Sequence, residues 1–329
     1  MLPWTSEEHL INEELLENAH AAFSSNFKPE AWFERPIFLS WRNVMNCTLC
    51  HLSQKSPDSM NPLSSRRSSS SLMAEAYLAK QAKWKMQLTT GYFPHNPDEL
   101  MNICKRMMEA TEERIWLDTH PIPGNDIDIL KPYLTGINAP LETVSKGLRK
   151  RLYPNTAMHQ FLTMFDEATH LRKGVSITLG IGETLNDIQE LHHFIEMNKV
   201  DKVTFNPVIP HKNTQIKQSP SSFYMTRWIA ETRLAFPKIE IIAGTWKGRV
   251  AEVGLFMKAG ANAITKFPAV KRFNSEDAHS IEQEVATAKR TFTSTLTNIG
   301  MINKLKDMDV DEETKDKLMR YINAIQEHK

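Results

Sequence analysis

Two cysteines, Cys47 and Cys50, stand three positions apart in the segment Cys47-Thr48-Leu49-Cys50. Two thiolates at this spacing can bind one metal ion or one cluster from a single tight loop, because both sulfurs can converge on the same point. The same pair could instead form a reversible disulfide, since a Cys-x-x-Cys pair can be redox-active. The apolar segment 36–41 precedes the loop and predicts a buried strand that positions it.

The composition is that of an ordinary globular protein. The chain has 329 residues, of which 41% are hydrophobic and 24% are charged, with a net charge of +1. This balance gives no support for binding to nucleic acid or to an anionic membrane. No apolar run reaches the roughly 18 residues of a membrane span, and the acidic N-terminus differs from a signal peptide. We therefore expect a cytoplasmic protein that binds neither membrane nor nucleic acid.

The middle of the chain alternates between apolar strand candidates and amphipathic helix candidates. The predicted strands cover residues 36–41, 85–89, 114–118, 133–137, 175–179, 202–206, 239–243 and 263–266. The predicted helices cover residues 71–83, 97–110, 141–152, 157–172, 185–198, 221–236 and 249–259. Serial βα units predict an α/β fold, a full or partial (β/α) barrel whose site lies at the C-terminal ends of the strands.

Three regions follow from this pattern. Residues 1–34 are predicted as an N-terminal lead-in, with a helix over about 6–23 that begins at Thr5 or Ser6 and a connector at 29–34. Residues 35–270 form the barrel. Residues 271–329 form a helical tail that is either solvated or contacts a partner protein. The Ser-rich stretch 53–71 predicts a flexible surface loop, with an active-site lid as the alternative.

Two further groups of residues have structural interpretations. Cys104 lies in a segment of helical periodicity, which predicts a buried, structural thiol. Arg66, Arg67 and Glu75 surround the start of a helix, where an ordinary solvated face explains their charges at least as well as a functional role does.

Several segments together resemble radical S-adenosylmethionine enzymes of the biotin-synthase-like branch, which includes the [FeFe]-hydrogenase maturase and archaeal homologues. The resemblance covers about residues 35–270. Its strongest part is the apolar strand 175–179 followed by the turn Gly180-Ile181-Gly182-Glu183-Thr184. The two glycines let the backbone approach a ligand closely, and N–H groups at a helix N-terminus can meet polar atoms. The resemblance makes Gly180, Gly182 and Glu183 cofactor contacts; a tight βα turn is the alternative.

A second matching segment is Gly136-Ile137-Asn138-Ala139-Pro140-Leu141-Glu142-Thr143. In the family, this strand end presents an amide or a carboxylate to the ribose or the amino group of S-adenosylmethionine. Glu142 is the better match and Asn138 the second candidate, since a carboxylate accepts charge-assisted hydrogen bonds. The alternative places Glu142 in the first turn of a helix, as a partner of the helix dipole.

The remaining matches lie at other strand ends. Thr90 and Gly91 occupy the place of the family's glycine motif, which holds the amino end of the methionine. The segment after residue 206 resembles the strand end that lies over the adenine, which makes Val208 and Pro210 cofactor contacts. Three residues at strand ends are candidates for contacting the substrate: His120, Thr245 and Lys266.

The resemblance implies a [4Fe–4S] cluster held by three cysteines, but the expected first cysteine is Asn43. A neutral amide oxygen is a poor substitute for a thiolate on iron. Three explanations stay open. Asn43 replaces a natural cysteine, or another group such as His51 or a partner's thiolate completes the site, or the chain has lost the cluster and kept the fold.

The resemblance implies an enzyme that uses the cluster to cleave S-adenosylmethionine and abstracts hydrogen from a small or carrier-bound substrate. Sulfur insertion of the biotin or lipoyl synthase kind is one version of this activity. The first alternative is a scaffold without a cluster that binds a ligand or a partner protein. The second is a thiol–disulfide site at Cys47 and Cys50.

Overall fold

The computed structural model describes residues 11–41, 49, 65–91, 93, 96–153, 157–210 and 216–327. Cys47, Cys50, Asn43 and His51 lie outside the described residues, so their roles stay predictions. None of the described helices combines the length and the apolar character that crossing a membrane requires.

Eight parallel strands close into a barrel, which confirms the predicted fold. They are β1 (Glu30–Phe38), β2 (Lys85–Thr89), β3 (Ile115–Asp118), β4 (Leu134–Glu142), β5 (Arg172–Leu179), β6 (Lys202–Pro207), β7 (Glu240–Gly244) and β8 (Ala263–Thr265). Closure is complete because β1 pairs with both β2 and β8. The strands are apolar because helices cover their outer faces. A short ninth strand, β9 (Thr291–Phe292), pairs with the first residues of β1.

Twelve α-helices occur in the described part of the chain. They are α1 (Glu13–Ser24), α2 (Ser69–Gln81), α3 (Pro97–Thr111), α4 (Gly124–Leu130), α5 (Lys146–Leu152), α6 (Met158–Glu167), α7 (Asp187–Asn198), α8 (Ser222–Ala235), α9 (Val253–Lys258), α10 (Glu276–Thr287), α11 (Ile299–Asn303) and α12 (Glu312–Glu327). Serine or asparagine side chains cap several of them, as Ser68 does for α2 and Asn96 for α3.

The N-terminal region differs from the prediction in two ways. Helix α1 begins at Glu13 and leaves residues 11 and 12 outside it, because the side chain of Asn12 accepts a hydrogen bond from the Leu15 N–H at 2.8 Å and caps the helix there. The predicted start at Thr5 or Ser6 lies outside the described residues. The predicted connector at 29–34 is also wrong. It forms the first part of β1, where Ala31 and Phe33 point into the core.

The predicted helix over 141–152 begins too early. Strand β4 continues to Glu142, and α5 starts only at Lys146. Glu142 therefore ends a strand, and the alternative that places it in a first helical turn is wrong. The Ser-rich stretch also differs at its end, since Ser69 already belongs to α2, while residues 53–64 lie outside the described residues.

The region after residue 271 packs on the outside of the barrel. Helix α10 lies against α9, and α12 lies against α2. The buried face of α12 includes Leu318, Ile322 and Ile325. Tyr321 accepts a hydrogen bond from the guanidinium of Arg67 at 2.8 Å, just before α2.

A buried charge pair lies inside the barrel near the N-terminal ends of the strands. Lys202 donates hydrogen bonds to Glu34 and to Gln87, each at 3.0 Å, and its ammonium lies 3.9 Å from the ring centroid of Trp116. Lys202 is fully buried. Burial raises the pKa of Glu34, and the charge of Lys202 opposes that rise. This cluster fills the interior of the barrel at the end opposite to the C-terminal ends of the strands, where barrel enzymes carry their sites.

Candidate active site

A cavity of about 440 Å³ opens at the C-terminal ends of the strands. Its volume lies in the usual range for sites that bind small molecules, about 300–1,000 Å³. Most strand ends contribute to its wall, and so do Leu49, Arg149 and Tyr153. The site therefore lies where a (β/α) barrel is expected to carry it.

The cavity brings together some of the residues predicted from the sequence and not others. Those on its wall are Thr90, Gly91, His120, Glu142, Val208 and Lys266. Those away from its wall are Asn138, Gly180, Gly182, Glu183, Pro210 and Thr245. Leu49, which stands between Cys47 and Cys50 in the sequence, also lines the cavity.

Glu142 holds a carboxylate at the cavity wall. Its backbone has φ +63°, a left-handed conformation that turns the chain out of β4. The hydroxyl of Thr178 on β5 donates a hydrogen bond to the carboxylate. Desolvation raises the pKa of Glu142, whereas this hydrogen bond and the charge of Lys266 oppose the rise. In its ionised form, Glu142 can accept hydrogen bonds from a bound hydroxyl or ammonium group.

Asn138 lies beneath the cavity and is fully buried on β4. Its amide nitrogen donates to the Asp118 carboxylate at 2.7 Å and to the Ser176 hydroxyl at 2.9 Å. Asp118 lines the cavity. Asn138 thus fixes the orientation of a carboxylate that sequence reasoning passed over, although Asp118 stands two positions before His120.

In the glycine turn after β5, backbone N–H groups bind the carboxylate of Glu183, which belongs to the same turn. Gly180 and Gly182 have φ values of +89° and +115°, which favour glycine. The Glu183 carboxylate accepts hydrogen bonds from the Gly180 N–H at 2.6 Å and from the Ile181 N–H at 2.9 Å. Burial raises the pKa of Glu183, and these backbone hydrogen bonds oppose it. Since these two N–H groups are already paired, the observed geometry is that of the tight-turn alternative.

Several polar atoms on the cavity wall are buried and have no hydrogen-bond partner among the described residues. They are Thr89 Oγ1, His120 Nδ1, Asn206 Oδ1 and Trp246 Nε1. A buried polar group without a partner is costly, so these atoms fit a site that binds a polar molecule.

Burial lowers the pKa of His120, although Asp118 opposes the shift, and the imidazole is therefore neutral at pH 7. Asn206 and Trp246 stand at or just after strand ends, a signal that could have identified them.

A buried ion triad supports one side of the cavity. The Glu75 carboxylate pairs with Arg35 and with Arg67, each at 2.6 Å. Burial would raise the pKa of Glu75, but the two guanidinium groups outweigh it and hold the pKa below its ordinary value. Arg35 lines the cavity. The prediction of a solvated face is therefore wrong for Glu75 and Arg67; the apolar residues on all sides of Glu75 in α2 were the missed signal.

Two further residues are one that the sequence predicted, Cys104, and one that it did not, Arg149. Cys104 is fully buried and burial raises the pKa of its thiol to about 12, which confirms a structural thiol. Arg149, which sequence reasoning did not select, lines the cavity and donates a hydrogen bond to the Leu141 carbonyl at 2.6 Å.

Comparison with known proteins identifies the class of this barrel. The sequence model of the Biotin and Thiamin Synthesis associated domain matches residues 204–291. The [FeFe] hydrogenase maturase subunit HydE of Thermotoga maritima is 28% identical over 130 residues, 37% of each chain. The crystal structure of methylornithine synthase has a TM-score of 0.73 and 17% identity, and the match covers 88% of this chain and 90% of that one. The last comparison shows that the barrel fold is shared.

A longer match is found with the uncharacterized protein MJ0597 of Methanocaldococcus jannaschii. The two sequences are 31% identical over 304 residues, which is 90% of this chain and 84% of the relative. The chain therefore belongs to the family that includes this archaeal protein. The matches to the Biotin and Thiamin Synthesis associated domain and to HydE support its place in the radical S-adenosylmethionine superfamily.

Proposed function

We propose that the protein is a radical S-adenosylmethionine enzyme whose cofactor binds in the cavity at the C-terminal ends of the barrel strands. This proposal rests on one observation: the same cavity is lined by Thr90, Gly91, Glu142 and Val208, the residues predicted to contact the cofactor. The similarity to HydE adds to it. When bound together, a [4Fe–4S] cluster and S-adenosylmethionine supply one-electron chemistry that removes a hydrogen atom from a substrate.

The described residues fit such a cofactor. Glu142 offers a carboxylate to the ribose hydroxyls or the ammonium group. Gly91, at φ +60°, lets the backbone approach a ligand without a Cβ atom. Val208 adds an apolar surface, and the unpaired His120 and Asn206 atoms provide further hydrogen-bonding capacity. Together these groups bind, orient and partly desolvate the cofactor.

The cluster ligands in this proposal are Cys47 and Cys50, with a third ligand supplied by another group because Asn43 is not a thiolate. Leu49 supports the placement, since this neighbour of Cys50 lines the cavity. The substrate is a small or carrier-bound molecule. Sulfur insertion of the biotin or lipoyl synthase kind finds little support, because Cys104 is buried with a raised pKa and cannot serve a second cluster.

Asn43 favours a second candidate function. A family member that has lost the cluster would keep the barrel and the polar cavity and act as a ligand-binding or partner-binding scaffold. The thiol–disulfide alternative at Cys47 and Cys50 would leave the cavity without a role.

Iron and sulfide analysis with the visible spectrum, done anaerobically on the native chain and on Asn43→Cys, separates these functions. We expect the native chain to assemble a cluster and Asn43→Cys to bind it more tightly, because a third thiolate is added. Assembly only in Asn43→Cys would contradict the enzyme and support the scaffold. No iron in either protein, together with a reversible disulfide, would support the redox site.

A further inference from the structure

Lys266 follows β8 directly and lines the cavity. Its backbone has φ +70°, in the left-handed region, where a lysine is less favourable than glycine. Residues held in such conformations are concentrated at functional sites. The backbone gains nothing from a lysine at this position, so its side chain is the part with a role in the cavity.

The ammonium group of Lys266 has no paired carboxylate in the part of the chain that the structure describes. No carboxylate oxygen there lies within 4.0 Å of it. The ammonium lies 5.6 Å from the ring centroid of Phe38. Glu142 lies close enough for their charges to interact, but its carboxylate is hydrogen-bonded to Thr178. A half-buried cation beside an apolar ring has the properties of a site for an anion with an apolar portion.

Charged side chains of both signs line the cavity around Lys266. Arg35 and Arg149 also line the cavity. The carboxylates on the wall are Asp118, which accepts a hydrogen bond from Asn138, and Glu142, which accepts one from Thr178. Lys266 on β8 and Glu142 on β4 come from opposite sides of the eight-stranded barrel. Lys266 and Glu142 thus reach the cavity from different strands, one as a cation and the other as a hydrogen-bond acceptor.

We propose that Lys266 binds a carboxylate of the substrate, with the adjacent carbon chain packed on Phe38. This assignment rests on the proposed function, because it makes the ligand at Lys266 the substrate and places the cofactor at Glu142. The other source of such a carboxylate is the methionine part of S-adenosylmethionine. The two sources predict different effects of the same substitution.

Calorimetric titration with pentanoate and with the neutral pentanamide tests the proposal on the full chain. We expect wild type to bind pentanoate at least about tenfold more tightly than pentanamide, since a charge-assisted hydrogen bond is lost with the amide. Lys266→Met should weaken pentanoate by about tenfold or more, whereas Lys266→Arg should retain it within about threefold. Lys247→Met is the matched control, because Lys247 is exposed and not on the wall of this cavity, and it should bind like wild type.

Lys266→Gly provides a second test if Lys266→Met fails to fold, because glycine suits φ +70° and also removes the ammonium. The proposal is overturned if Lys266→Met or Lys266→Gly binds pentanoate like wild type, or if wild type does not bind pentanoate. It is also overturned if the affinity for S-adenosylmethionine falls in parallel, since Lys266 then serves the cofactor. Failure of wild type to bind S-adenosylmethionine, with pentanoate binding intact, would contradict the proposed function and leave the anion site standing.

Discussion

Lys202→Met is expected to lower the free energy of unfolding by about 3–5 kcal/mol, because it removes one partner of a buried ion pair. The substitution leaves Glu34 inside the barrel without its cation and leaves Gln87 without its donor. Burial already raises the pKa of Glu34, so the carboxyl group will be protonated more readily in the variant. Urea unfolding at pH 7 measures the loss.

The pH dependence of this loss identifies its cause. Below the pKa of an unfolded glutamate, about 4.3, Glu34 is protonated in both states and the penalty is smallest. As the pH rises, the Glu34 carboxyl ionises in the unfolded chain but stays protonated in the folded variant. The loss in the free energy of unfolding therefore grows with pH. Adding Glu34→Gln to Lys202→Met should recover most of the stability. Lys238→Met, at an exposed position, is the control; an equal loss there would contradict the interpretation.

Glu75→Gln is expected to destabilise the protein by about 3–5 kcal/mol at pH 7, because two largely buried guanidinium groups lose their shared carboxylate. The side chains of Arg67 and Glu75 are only 5% and 3% exposed, so solvent does not replace the lost charge. Arg35 lines the cavity, so the variant should also bind ligands there less tightly.

The sign of the pH dependence is opposite to that of Glu34. The pKa of Glu75 is lowered in the folded state, so its contribution is fully present above about pH 4.3, the value for an unfolded glutamate. The contribution is lost as the pH falls through the lowered folded pKa, and the wild type and the variant should then converge. Glu112→Gln is the matched control, because its 80%-exposed side chain pairs with Lys80 on the surface. That variant should lose no more than about 1 kcal/mol.

Much of the barrel could be predicted because its strands are short apolar runs at regular spacing. The limits of β2 were predicted to the residue, with Met86 and Leu88 as its apolar positions. Two boundaries failed where a local interaction decides the structure. Asn12 caps α1 through a side-chain hydrogen bond. Strand β4 continues to Glu142, whose left-handed backbone ends the strand inside a segment that also fits a helical pattern.

The candidate site was predicted only in part, for a physical reason. Strand ends indicate which residues can reach the cavity, and this identified His120 and Lys266, whereas Glu142 was identified through the family resemblance. Pairing within the site depends on contacts between distant segments. Arg35 and Glu75 are 40 positions apart in the sequence and form one buried pair. The glycine turn was predicted as a ligand contact, but Glu183 already accepts hydrogen bonds from its N–H groups.

Calorimetric titration of S-adenosylmethionine into the anaerobically reconstituted protein tests the central claim most directly. We expect saturable binding at one site per chain, weakened by about tenfold or more in Glu142→Gln, because the amide cannot replace a carboxylate that accepts charge-assisted hydrogen bonds. Glu167→Gln, outside the cavity, should bind like wild type. No binding to wild type, or equal binding by Glu142→Gln, would contradict a cofactor site at the C-terminal ends of the barrel strands.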